Sequence, residues 1–519
     1  MRFFVRERKQ TGPEPGVEEP YCLLEKDGWN DYNYVTMFCL YLVEHKRSIA
    51  ISNVKIGRSG MSNMGLGKGM VTRLPDQFEV LDDSYFSLGQ DIEYYKNLNA
   101  HGAGIAKEVM TALRDIAYEK PLIDRFQDED VLHTSLLRTI PLATVKRQYH
   151  RIAIGKEEKV NYEFSVTFNR KGKDLDNGCS TKSVSFSLKH DSKPPTNVQA
   201  LIGENGVGKT RILKTIIEQY YKWQVGESHA DLTFTGDDED NEFPNLVLVS
   251  SSSLDGEFVE KDMIVRLNKE RGEDLITQFT LAQINNLKDF SDQIDQVVIS
   301  SRDRLKHMLE TISEPFWGNL FGMELYNPED ETDNNGSHEL DINDITERLK
   351  NRFEILSTGE KAILLTMTVA ARYMREGSLL LLDEPESFLH PPLLSAWIRA
   401  LSDLATEMNG AVIIATHSPI VVQEIPASSV KIIERQEGHT SVREPDLETF
   451  GENLAVLTRE IFRYDPTKTG FYSLLKKETD KGRGYSEVKD DFSGQLGSEA
   501  LSYLTLMEQE ETDLSDEED

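Results

Sequence analysis

A glycine-rich stretch, GENGVGKT at residues 203–210, has the composition of a phosphate-binding loop. Glycine tolerates backbone conformations that turn several N–H groups inward around an anion. The helix predicted after the loop would direct its positive end at the same anion. Lys209 would then reach the β- and γ-phosphates of a nucleotide, and the Thr210 hydroxyl would ligate Mg²⁺. The strand-loop-helix context favours this interpretation over a loop that only reverses the chain.

Two carboxylates follow a run of four leucines in LLLLDEPE, residues 379–386. The run predicts a buried strand, so Asp383 and Glu384 would stand at its end. Asp383 would hold Mg²⁺ through water, and Glu384 would orient and polarise an attacking water molecule. The alternative is a solvated Asp–Glu pair at a strand end. The phosphate-binding loop upstream favours the catalytic interpretation.

A histidine ends another apolar run, AVIIATHS, at position 417. Ligands bind at the carboxyl edge of open α/β sheets, and we expect this strand to end there. His417 would then hydrogen-bond the terminal phosphate and sense its loss. The alternative is a structural histidine, which is less favoured because the neighbouring strands also end in site residues.

The stretch LSTGEK, residues 356–361, predicts the start of a helix. Ser357 followed three residues later by Glu360 forms a capping box. A helix N-terminus that carries a serine is also an anion site. We expect Ser357 to lie far from the phosphate-binding loop of its own copy, so that it would meet the terminal phosphate held by a second copy. The two roles are compatible.

Short apolar runs that alternate with helical patterns must position these residues. The runs lie at 198–203, 245–250, 378–384, 411–417 and 430–435, and helices are predicted at 210–223, 359–374 and 391–408. Continuous apolar strands between helices predict an α/β fold with a mainly parallel sheet that is covered on both faces.

Other parts of the chain carry different patterns. Alternating residues predict antiparallel hairpins at 32–56 and at 160–190, the second immediately before the loop. Residues 1–20 are predicted to form a flexible arm or an edge segment. A helix is predicted at 89–120, and residues 255–350 are predicted to be mostly helical.

The composition of the 519 residues limits the classes of partner. The formal net charge is −31, part of it in the acidic tail 508–519, so the chain as a whole repels a phosphate backbone. Three widely spaced cysteines, Cys22, Cys39 and Cys179, show no metal-binding pattern and fit a reducing cytoplasm. No apolar run is long enough to span a bilayer, and we expect a cytoplasmic protein without a membrane part.

The order of the motifs GENGVGKT, LSTGE, LLLLDEPESFLHP and ATHS resembles that of the ABC-type ATPases. The resemblance covers residues from about 160 to 440 and is closer to the soluble SMC, RecF and break-repair branch than to transporter subunits. Within that branch, the chain is similar to the ATPases of bacterial phage-defence operons. These include the overcoming-lysogenisation-defect nucleases and the PtuA subunit of Septu and retron-linked systems, which the chain resembles most.

We expect three parts of the chain; the resemblance implies the ATPase domain, whereas the N-terminal part is an addition that the family pattern does not include. An ABC-type ATPase domain would span residues 151–460, with an antiparallel β subdomain and a helical insert at about 255–350. An N-terminal α+β extension, residues 1–150, would serve docking or sensing. Residues 461–519 would form a C-terminal helical segment and a disordered acidic tail.

The resemblance also implies ATP and Mg²⁺ as cofactors, and homo-oligomers built on ATP-dependent dimers. Glu384 and His417 would be catalytic, and Thr210 and Asp383 would hold the metal. The expected ATP contacts are Gly203, Asn205, Gly206, Gly208, Lys209 and Thr210 of one copy with Ser357 and Gly359 of the other.

Two features depart from the family pattern. Thr358 places a side chain where the signature S-G-G-Q has glycine, which weakens the expected contact in trans. No glutamine lies near the end of the strand 245–250, although the family uses one to reach the metal and the water. The departure implies slow hydrolysis, with ATP acting mainly as a clamp.

The related nucleases carry an Asp-x-Asp cluster, which the residues after His417 lack. Glu434 has no partner carboxylates there and is expected to be a solvated edge residue. The sequence therefore predicts a regulatory ATPase that controls a separate HNH-type nuclease in antiviral defence. A retron reverse transcriptase with its DNA is a further candidate partner.

The alternative function is that of a RecF/SMC-like DNA-repair ATPase that binds DNA directly, which the net charge disfavours. The segment 474–489 is locally basic and would be the place for a nucleic-acid contact. A solvated helix face is the simpler interpretation of that segment.

Overall fold

A computed structural model describes most of the chain. The described residues are 1–7, 16–61, 70–138, 140, 142–157, 159–168, 182–226, 232–234, 243–251, 260–271, 274–281, 290–298, 305, 342–436, 439–462, 470–479, 481 and 483–505. They contain β-sheets of seven, six, three and two strands, together with the helices that cover them.

A six-stranded sheet dominates the N-terminal part. Its strands are β1 (Phe3–Arg6), β2 (Tyr21–Lys26), β4 (Met37–Glu44), β5 (Arg47–Arg58), β7 (Gln77–Phe78) and β8 (Tyr85–Gly89). The order across the sheet is β7-β1-β2-β4-β5-β8, with β1 and β2 parallel and the other neighbours antiparallel. Two short strands, β3 (Tyr34–Val35) and β6 (Met70–Val71), pair with each other in parallel.

The hairpin predicted at 32–56 is confirmed by the antiparallel pair of β4 and β5. Residues of β4 alternate between buried and partly exposed along most of the strand, as expected for a sheet with one covered face. His45 and Lys46 make the turn with φ angles of 51° and 60°, the left-handed conformation that a tight hairpin turn requires.

The prediction of an arm or edge segment at 1–20 is wrong for β1. This strand lies between β7 and β2, and Phe3 is fully buried. The apolar sequence FFV explains its place inside the sheet. Residues 8–15 lie outside the described residues.

The single helix predicted at 89–120 is replaced by two helices, Ile92–Ala100 and Ala103–Ala112. Gly102 separates them with a φ angle of 109°, which glycine adopts without steric cost. Further helices and π-helical turns lie at Pro121–Phe126, Leu132–Leu136, Leu142–Thr144, Val145–Tyr149 and His150–Ala153. They share one buried core with the six-stranded sheet.

A seven-stranded sheet organises the rest of the described chain. Its strands are β11 (Val198–Ile202), β13 (Leu246–Ser250), β14 (Ile276–Thr280), β15 (Leu379–Asp383), β16 (Ala411–Thr416), β17 (Val430–Gln436) and β18 (His439–Arg443). The order is β14-β13-β15-β16-β11-β17-β18. All neighbours are parallel except β17 and β18, which confirms the predicted mixed α/β fold with a mainly parallel sheet.

A three-stranded antiparallel sheet, β10-β9-β12, lies beside the central sheet. Its strands are β9 (Tyr162–Phe168), β10 (Lys182–Leu188) and β12 (Leu232–Phe234). The hairpin predicted at 160–190 is confirmed by β9 and β10, while its turn lies outside the described residues. Phe164 and Phe186 stack across the two strands with ring centroids 4.9 Å apart.

The remaining helices cover the central sheet or follow it. They are Lys209–Gln224, Lys261–Arg271, Ile342–Phe353, Thr358–Tyr373, Pro391–Glu407, Pro419–Gln423, Leu454–Phe462, Gly470–Thr479 and Tyr485–Asp491, with helical residues also at 290–298 and 498–505 and 3-10 turns at Pro385–Phe388 and Ala427–Ser429. None of the described helices combines the length and the apolar character that a bilayer crossing requires.

Alternate residues of the central strands pack into two different cores. Leu380 and Leu382 of β15 face the core that contains the helices Thr358–Tyr373 and Pro391–Glu407. Leu379 and Leu381 face the core that contains the helix Lys209–Gln224 and the three-stranded sheet. Both faces of the sheet are therefore covered, which explains why its strands are continuous apolar runs.

The stretch predicted as a mostly helical insert, 255–350, also contributes a strand. Within it, β14 pairs in parallel with β13 and forms an edge of the central sheet. The sequence ITQFT is rich in β-branched and aromatic residues, which favour a strand. The described helices of this stretch are Lys261–Arg271, residues 290–298 and Ile342–Phe353; much of the remainder lies outside the described residues.

Candidate functional site

The loop of residues 203–210, here called the P-loop, connects β11 to the helix Lys209–Gln224, here called the P-loop helix. Gly206 and Gly208 have φ angles of 79° and 113°, in the region that favours glycine. A β-carbon on Gly203 would overlap the carbonyl oxygen of Ile433 in β17. Each of these three glycines is therefore required by the local backbone, and Asn205 lies exposed between them.

The side chain of Lys209 is hydrogen-bonded within the P-loop. Its Nζ donates to the carbonyl oxygens of Gly203 and Glu204 at 3.0 and 3.1 Å, and the residue is buried. Burial lowers the pKa of Lys209, while the negative charges of Glu384, Glu386 and Asp383 act in the opposite direction. The ammonium group is thus held among carbonyls and carboxylates at the base of the loop, where an incoming phosphate would meet it.

The P-loop helix and β15 bring the two predicted metal ligands together. The Thr210 hydroxyl donates to Asp383, with Oγ1 at 3.0 Å from Oδ1 and 3.3 Å from Oδ2. Asp383 ends β15 and is 2% exposed. A hydroxyl and a carboxylate are oxygen donors that suit Mg²⁺, which completes its shell with water and substrate phosphates. The pair fits a magnesium site, for which Thr210 and Asp383 would supply the protein oxygens.

Glu384 adopts an uncommon backbone conformation. Its φ and ψ angles are 48° and 51°, left-handed values that cost free energy in a residue other than glycine. Hydrogen bonds hold its backbone there: its N–H donates to Ala415 O at 2.9 Å, and its carbonyl accepts from the Ser251 and Ser387 hydroxyls, each at 2.9 Å. Such strain at the end of a strand is typical of a functional residue, because it fixes the direction of the side chain.

His417 follows β16 and contacts a carboxylate that the sequence analysis missed. Its ring Nδ1 lies 3.1 Å from Oε1 of Glu386, and its side chain is 45% exposed. Glu386 stands in the 3-10 turn that follows Glu384, and it is 8% exposed. In the sequence, the second glutamate of the stretch DEPE could have pointed to this contact. Its partner His417 is distant in sequence, and the fold brings the two residues together.

Ser357 starts the helix Thr358–Tyr373, here called the signature helix. The capping box is confirmed: Ser357 Oγ accepts from Glu360 N at 3.3 Å, and Glu360 Oε2 accepts from Ser357 N at 2.7 Å. Ser357 and Thr358 are exposed, whereas Gly359 is buried. Ile355, two residues before Ser357, is 74% exposed. The tip of this helix therefore presents a serine and a large apolar side chain to solvent.

The signature helix and the P-loop helix lie on opposite faces of the central sheet, because their buried residues belong to different cores. The signature helix ends just before β15 begins, and it contacts the turn Pro385–Phe388 at the other end of that strand. Ser357 is thus at the same edge of the sheet as the P-loop but is separated from it by the sheet itself.

Two residues of the last strands also contact the P-loop, and the sequence analysis did not single them out. Arg435 Nη1 donates to Gly206 O at 3.4 Å, and the Thr440 hydroxyl donates to Val207 O at 3.4 Å. Neither position carries a motif that a sequence pattern could have revealed. Their contacts arise because β17 lies next to β11 in the sheet.

The prediction for Glu434 is wrong, and the helix-face interpretation of the basic segment 474–489 gains support. Glu434 is not a solvated edge residue, because its Oε1 accepts from Arg443 Nε at 2.8 Å and its side chain is 16% exposed. In the basic segment 474–489, Arg483 pairs with Glu478 at 3.0 Å, and Lys481 pairs with Glu478 at 2.8 Å. Charges paired within the chain favour a helix face over a nucleic-acid contact.

Comparison with known proteins places the chain in a family. Residues 198–423 match the family described as "AAA domain, putative AbiEii toxin, Type IV TA system". Over 532 aligned residues, the chain is 34% identical to protein ea59 of Escherichia phage lambda, and the match covers 98% of each protein. The chain belongs to the ea59 family. The shared length means that this ea59-family protein and its lambda relative align over both the N-terminal part and the ATPase part.

Two more distant similarities concern the ATPase part. The chain is 22% identical over 277 residues to the probable ABC transporter ATP-binding protein p29 of Mesomycoplasma hyorhinis, covering 53% of this chain and 88% of that protein. The SMC head domain from Thermotoga maritima aligns over 56% of this chain and 100% of its own length, with 17% identity and a TM-score of 0.28. The ea59-family chain thus carries an ATP-binding ATPase domain of the AAA and ABC type.

Proposed function

We propose that this ea59-family protein is an ATPase whose copies pair around bound ATP, with two nucleotides enclosed between the P-loop of one copy and the signature helix of the other. Lys209 binds the β- and γ-phosphates, Thr210 and Asp383 hold Mg²⁺, and Glu384 orients the attacking water. Ser357 and Gly359 of the second copy complete the site. His417 contacts the terminal phosphate.

One observation carries this proposal. The P-loop and the carboxylates of β15 meet in one copy, with Thr210 Oγ1 at 3.0 Å from Asp383 Oδ1, while Ser357 stands exposed behind the sheet. A helix N-terminus attracts an anion through its free N–H groups, yet this one cannot reach the P-loop of its own copy. A second copy turned face to face would supply it.

The test compares two substitutions of opposite consequence. Lys209→Ala removes the ammonium group from the phosphates, so nucleotide binding should fall by at least about tenfold, as expected for a charged hydrogen bond. Glu384→Gln retains binding but removes the general base, so it should trap ATP and accumulate the dimer. Calorimetry with ATP and light scattering after size exclusion measure both. Equal nucleotide retention by the two variants would contradict the assigned roles.

We further propose that the ATPase regulates a separate nuclease of the HNH type in an antiviral complex. The stretches GENGVGKT, STGEKA and DEPESFLHP resemble the ATPases of phage-defence operons. The net charge of −31 suits an acidic subunit that binds a basic partner. A retron reverse transcriptase with its DNA is a second partner compatible with the resemblance.

A phage-plating experiment tests this second step. Cells that express the chain together with its neighbouring reading frames should plate phage at least about tenfold less efficiently, and Lys209→Ala should abolish the effect, because binding energy for ATP drives the assembly. Metal-dependent cleavage of DNA or RNA by the purified chain alone would refute the regulatory role. Tight, salt-sensitive binding to DNA ends would instead indicate a DNA-repair ATPase of the RecF and SMC type.

A further inference from the structure

Glu386 is a buried carboxylate whose contacts converge on one oxygen. Its Oε1 accepts from the Thr416 hydroxyl at 2.6 Å and from the His417 N–H at 2.7 Å. The same oxygen lies 3.1 Å from the His417 ring Nδ1. Its other oxygen, Oε2, is buried and has no hydrogen-bond partner among the described residues. The carboxylate is therefore oriented by β16 and directed at the histidine ring.

An ionised carboxylate can only accept hydrogen bonds. The ring nitrogen that faces it must therefore carry the proton, since a bare Nδ1 opposite Oε1 would place two acceptors against each other. In a histidine, the hydrogen bond of one nitrogen decides which atom the other presents. With Nδ1 beside Glu386 at 3.1 Å, Nε2 is the ring nitrogen left to face a ligand, and the side chain of His417 is exposed enough for a ligand to reach it.

We propose that Glu386 is the positioning residue of His417: it fixes the Nδ1–H form of the ring and directs Nε2 toward the terminal phosphate of the nucleotide. This deepens the proposed function and rests on it. Nε2 donates to an anionic phosphate oxygen when it also carries a proton, as the histidine of a hydrolase triad does while its partner carboxylate accepts from Nδ1–H.

The place of Glu386 in the fold links this contact to the metal site. The turn Pro385–Phe388 follows directly after Asp383 and Glu384, and it packs beside β16. The charge of Glu386 also acts on Lys209. The end of β15 and the turn after it therefore carry, within four residues, the residue proposed to hold the metal, the residue proposed to orient the water and the residue proposed to orient the phosphate sensor.

The first test needs no nucleotide. The protein is labelled with ¹⁵N-histidine, and the ring nitrogens are recorded by nuclear magnetic resonance, with His417→Gln assigning the signal among the 11 histidines. The wild type should show the Nδ1–H form at His417. Glu386→Met, which keeps the side-chain length but offers no acceptor, should shift the ring toward the Nε2–H form or a mixture. His190, whose Nδ1 lies 3.2 Å from Asp191, serves as a reference that the substitution leaves unchanged.

The second test measures how well the protein distinguishes a triphosphate from a diphosphate. The ratio of the affinities for AMP-PNP and ADP should fall by about tenfold in Glu386→Met, the lower end of the losses seen when the orienting partner of a metal-bound histidine is removed. His417→Gln should lower the ratio equally, and the double variant should lower it no further. A merely structural role would weaken both nucleotides alike and leave the ratio unchanged.

Each of these measurements can either support or overturn the proposed role of Glu386. A wild-type His417 in the Nε2–H form, an unchanged ring in Glu386→Met, or additive losses in the double variant would overturn it. A protein that binds no adenine nucleotide at all would refute the proposed function, whereas the ring measurement would still decide whether Glu386 sets the form of His417.

Discussion

Gly203 lies so close to the carbonyl oxygen of Ile433 that no β-carbon fits between them. The first residue of the P-loop is thereby packed against β17, a strand more than two hundred residues later in the chain. The neighbouring strand and the loop's own glycines together keep the loop in its shape. Substitutions of two glycines in this loop can therefore distinguish the effect of the packing contact from the effect of the backbone conformation.

Gly203→Ala should destabilise the protein and abolish ATP binding, because the new methyl group would push β17 away from β11. Gly206→Ala is the matched control in the same loop: nothing lies near its β-carbon position, and only the positive φ angle opposes it. The control should therefore cost about 1–2 kcal/mol. Thermal unfolding and ATP titration compare the two. A Gly203→Ala protein as stable as the control would contradict the packing argument.

The Thr210–Asp383 pair predicts how Mg²⁺ contributes to nucleotide affinity. Thr210→Val keeps the shape of the side chain but removes the hydroxyl, so ATP affinity in Mg²⁺ should fall toward the value measured in EDTA. In the wild type, Mg²⁺ should strengthen ATP binding by at least about tenfold, a change worth 1.4 kcal/mol. If the variant still gains the full benefit of Mg²⁺, Thr210 is not a ligand of the metal.

Much of the central sheet could be predicted because its strands are continuous apolar runs that end in chemically distinctive residues. The runs before Gly203, Asp383 and His417 marked three strands whose carboxyl ends meet, and the structure brings those ends together. The strand β14 was missed because it carries Thr277 and Gln278 at an edge, where burial no longer demands an apolar run.

Other parts depended on contacts that no local pattern reveals. Glu386 meets His417 only because β15 and β16 are neighbours, and Arg435 reaches the P-loop only because β17 lies beside β11. The break at Gly102 was hidden because the apolar spacing continues on both sides of it, although a glycine with positive φ ends the helix.

The two roles of Ser357 can be separated by substitution. Ser357→Asp keeps a good N-cap, because aspartate accepts from the N3 backbone N–H as serine does. It also places a negative charge where the second copy would present a phosphate, so ATP-dependent pairing should be lost while thermal stability is retained. Ser357→Ala should instead cost about 1 kcal/mol of helix stability. Light scattering with and without ATP measures the pairing. Normal pairing by Ser357→Asp would exclude a phosphate contact at this position.

The exposed apolar side chain of Ile355 indicates the same interface by an argument that does not involve charge. A side chain that is 74% exposed beside the signature motif should become buried when two copies pair. Ile355→Asp should therefore weaken the ATP-dependent dimer by at least about tenfold, since burying an aliphatic side chain contributes about 1.5–3 kcal/mol. The affinity of the single copy for ATP should stay unchanged. Val265, 64% exposed on a different helix, provides the control Val265→Asp, which should leave the dimer intact.

Arg151 and Glu376 join the N-terminal part to the turn before β15. Arg151 Nη2 lies 2.8 Å from Glu376 Oε1, and the two side chains are 4% and 14% exposed. Arg151→Met should destabilise the protein by at most about 3–5 kcal/mol, because it removes the cation from a largely buried carboxylate that still accepts from Asn409 Nδ2. Arg151→Met with Glu376→Leu should recover most of that loss, since neither charge then remains. Denaturant unfolding of the two variants measures the difference, and an equal loss in both would show that the pair itself carries the stability.

Asp115 predicts a dependence of stability on pH in the N-terminal core. Burial raises the pKa of this carboxyl to about 7, against which the N–H groups of Tyr118 and Ala117 and the Tyr95 hydroxyl act only partly. The folded protein therefore holds the Asp115 proton at pH values where the unfolded chain, with an ordinary pKa of 3.8, has released it. Stability from this group is complete below pH 3.8 and is lost as the pH rises toward 7.

Asp115→Asn removes that proton equilibrium while its side-chain oxygen can still accept from Ala117 N and Tyr118 N, which donate to Asp115 at 2.9 and 3.0 Å. Relative to the wild type, the variant should become more stable between pH 5 and pH 8, by at most about 3 kcal/mol, because only the part of the pKa displacement between pH 5 and about 7 falls in this window. Denaturant midpoints of both proteins at the two pH values give the comparison. Because all other titrating groups are common to both, parallel losses would mean that Asp115 is already ionised in the folded protein at pH 5.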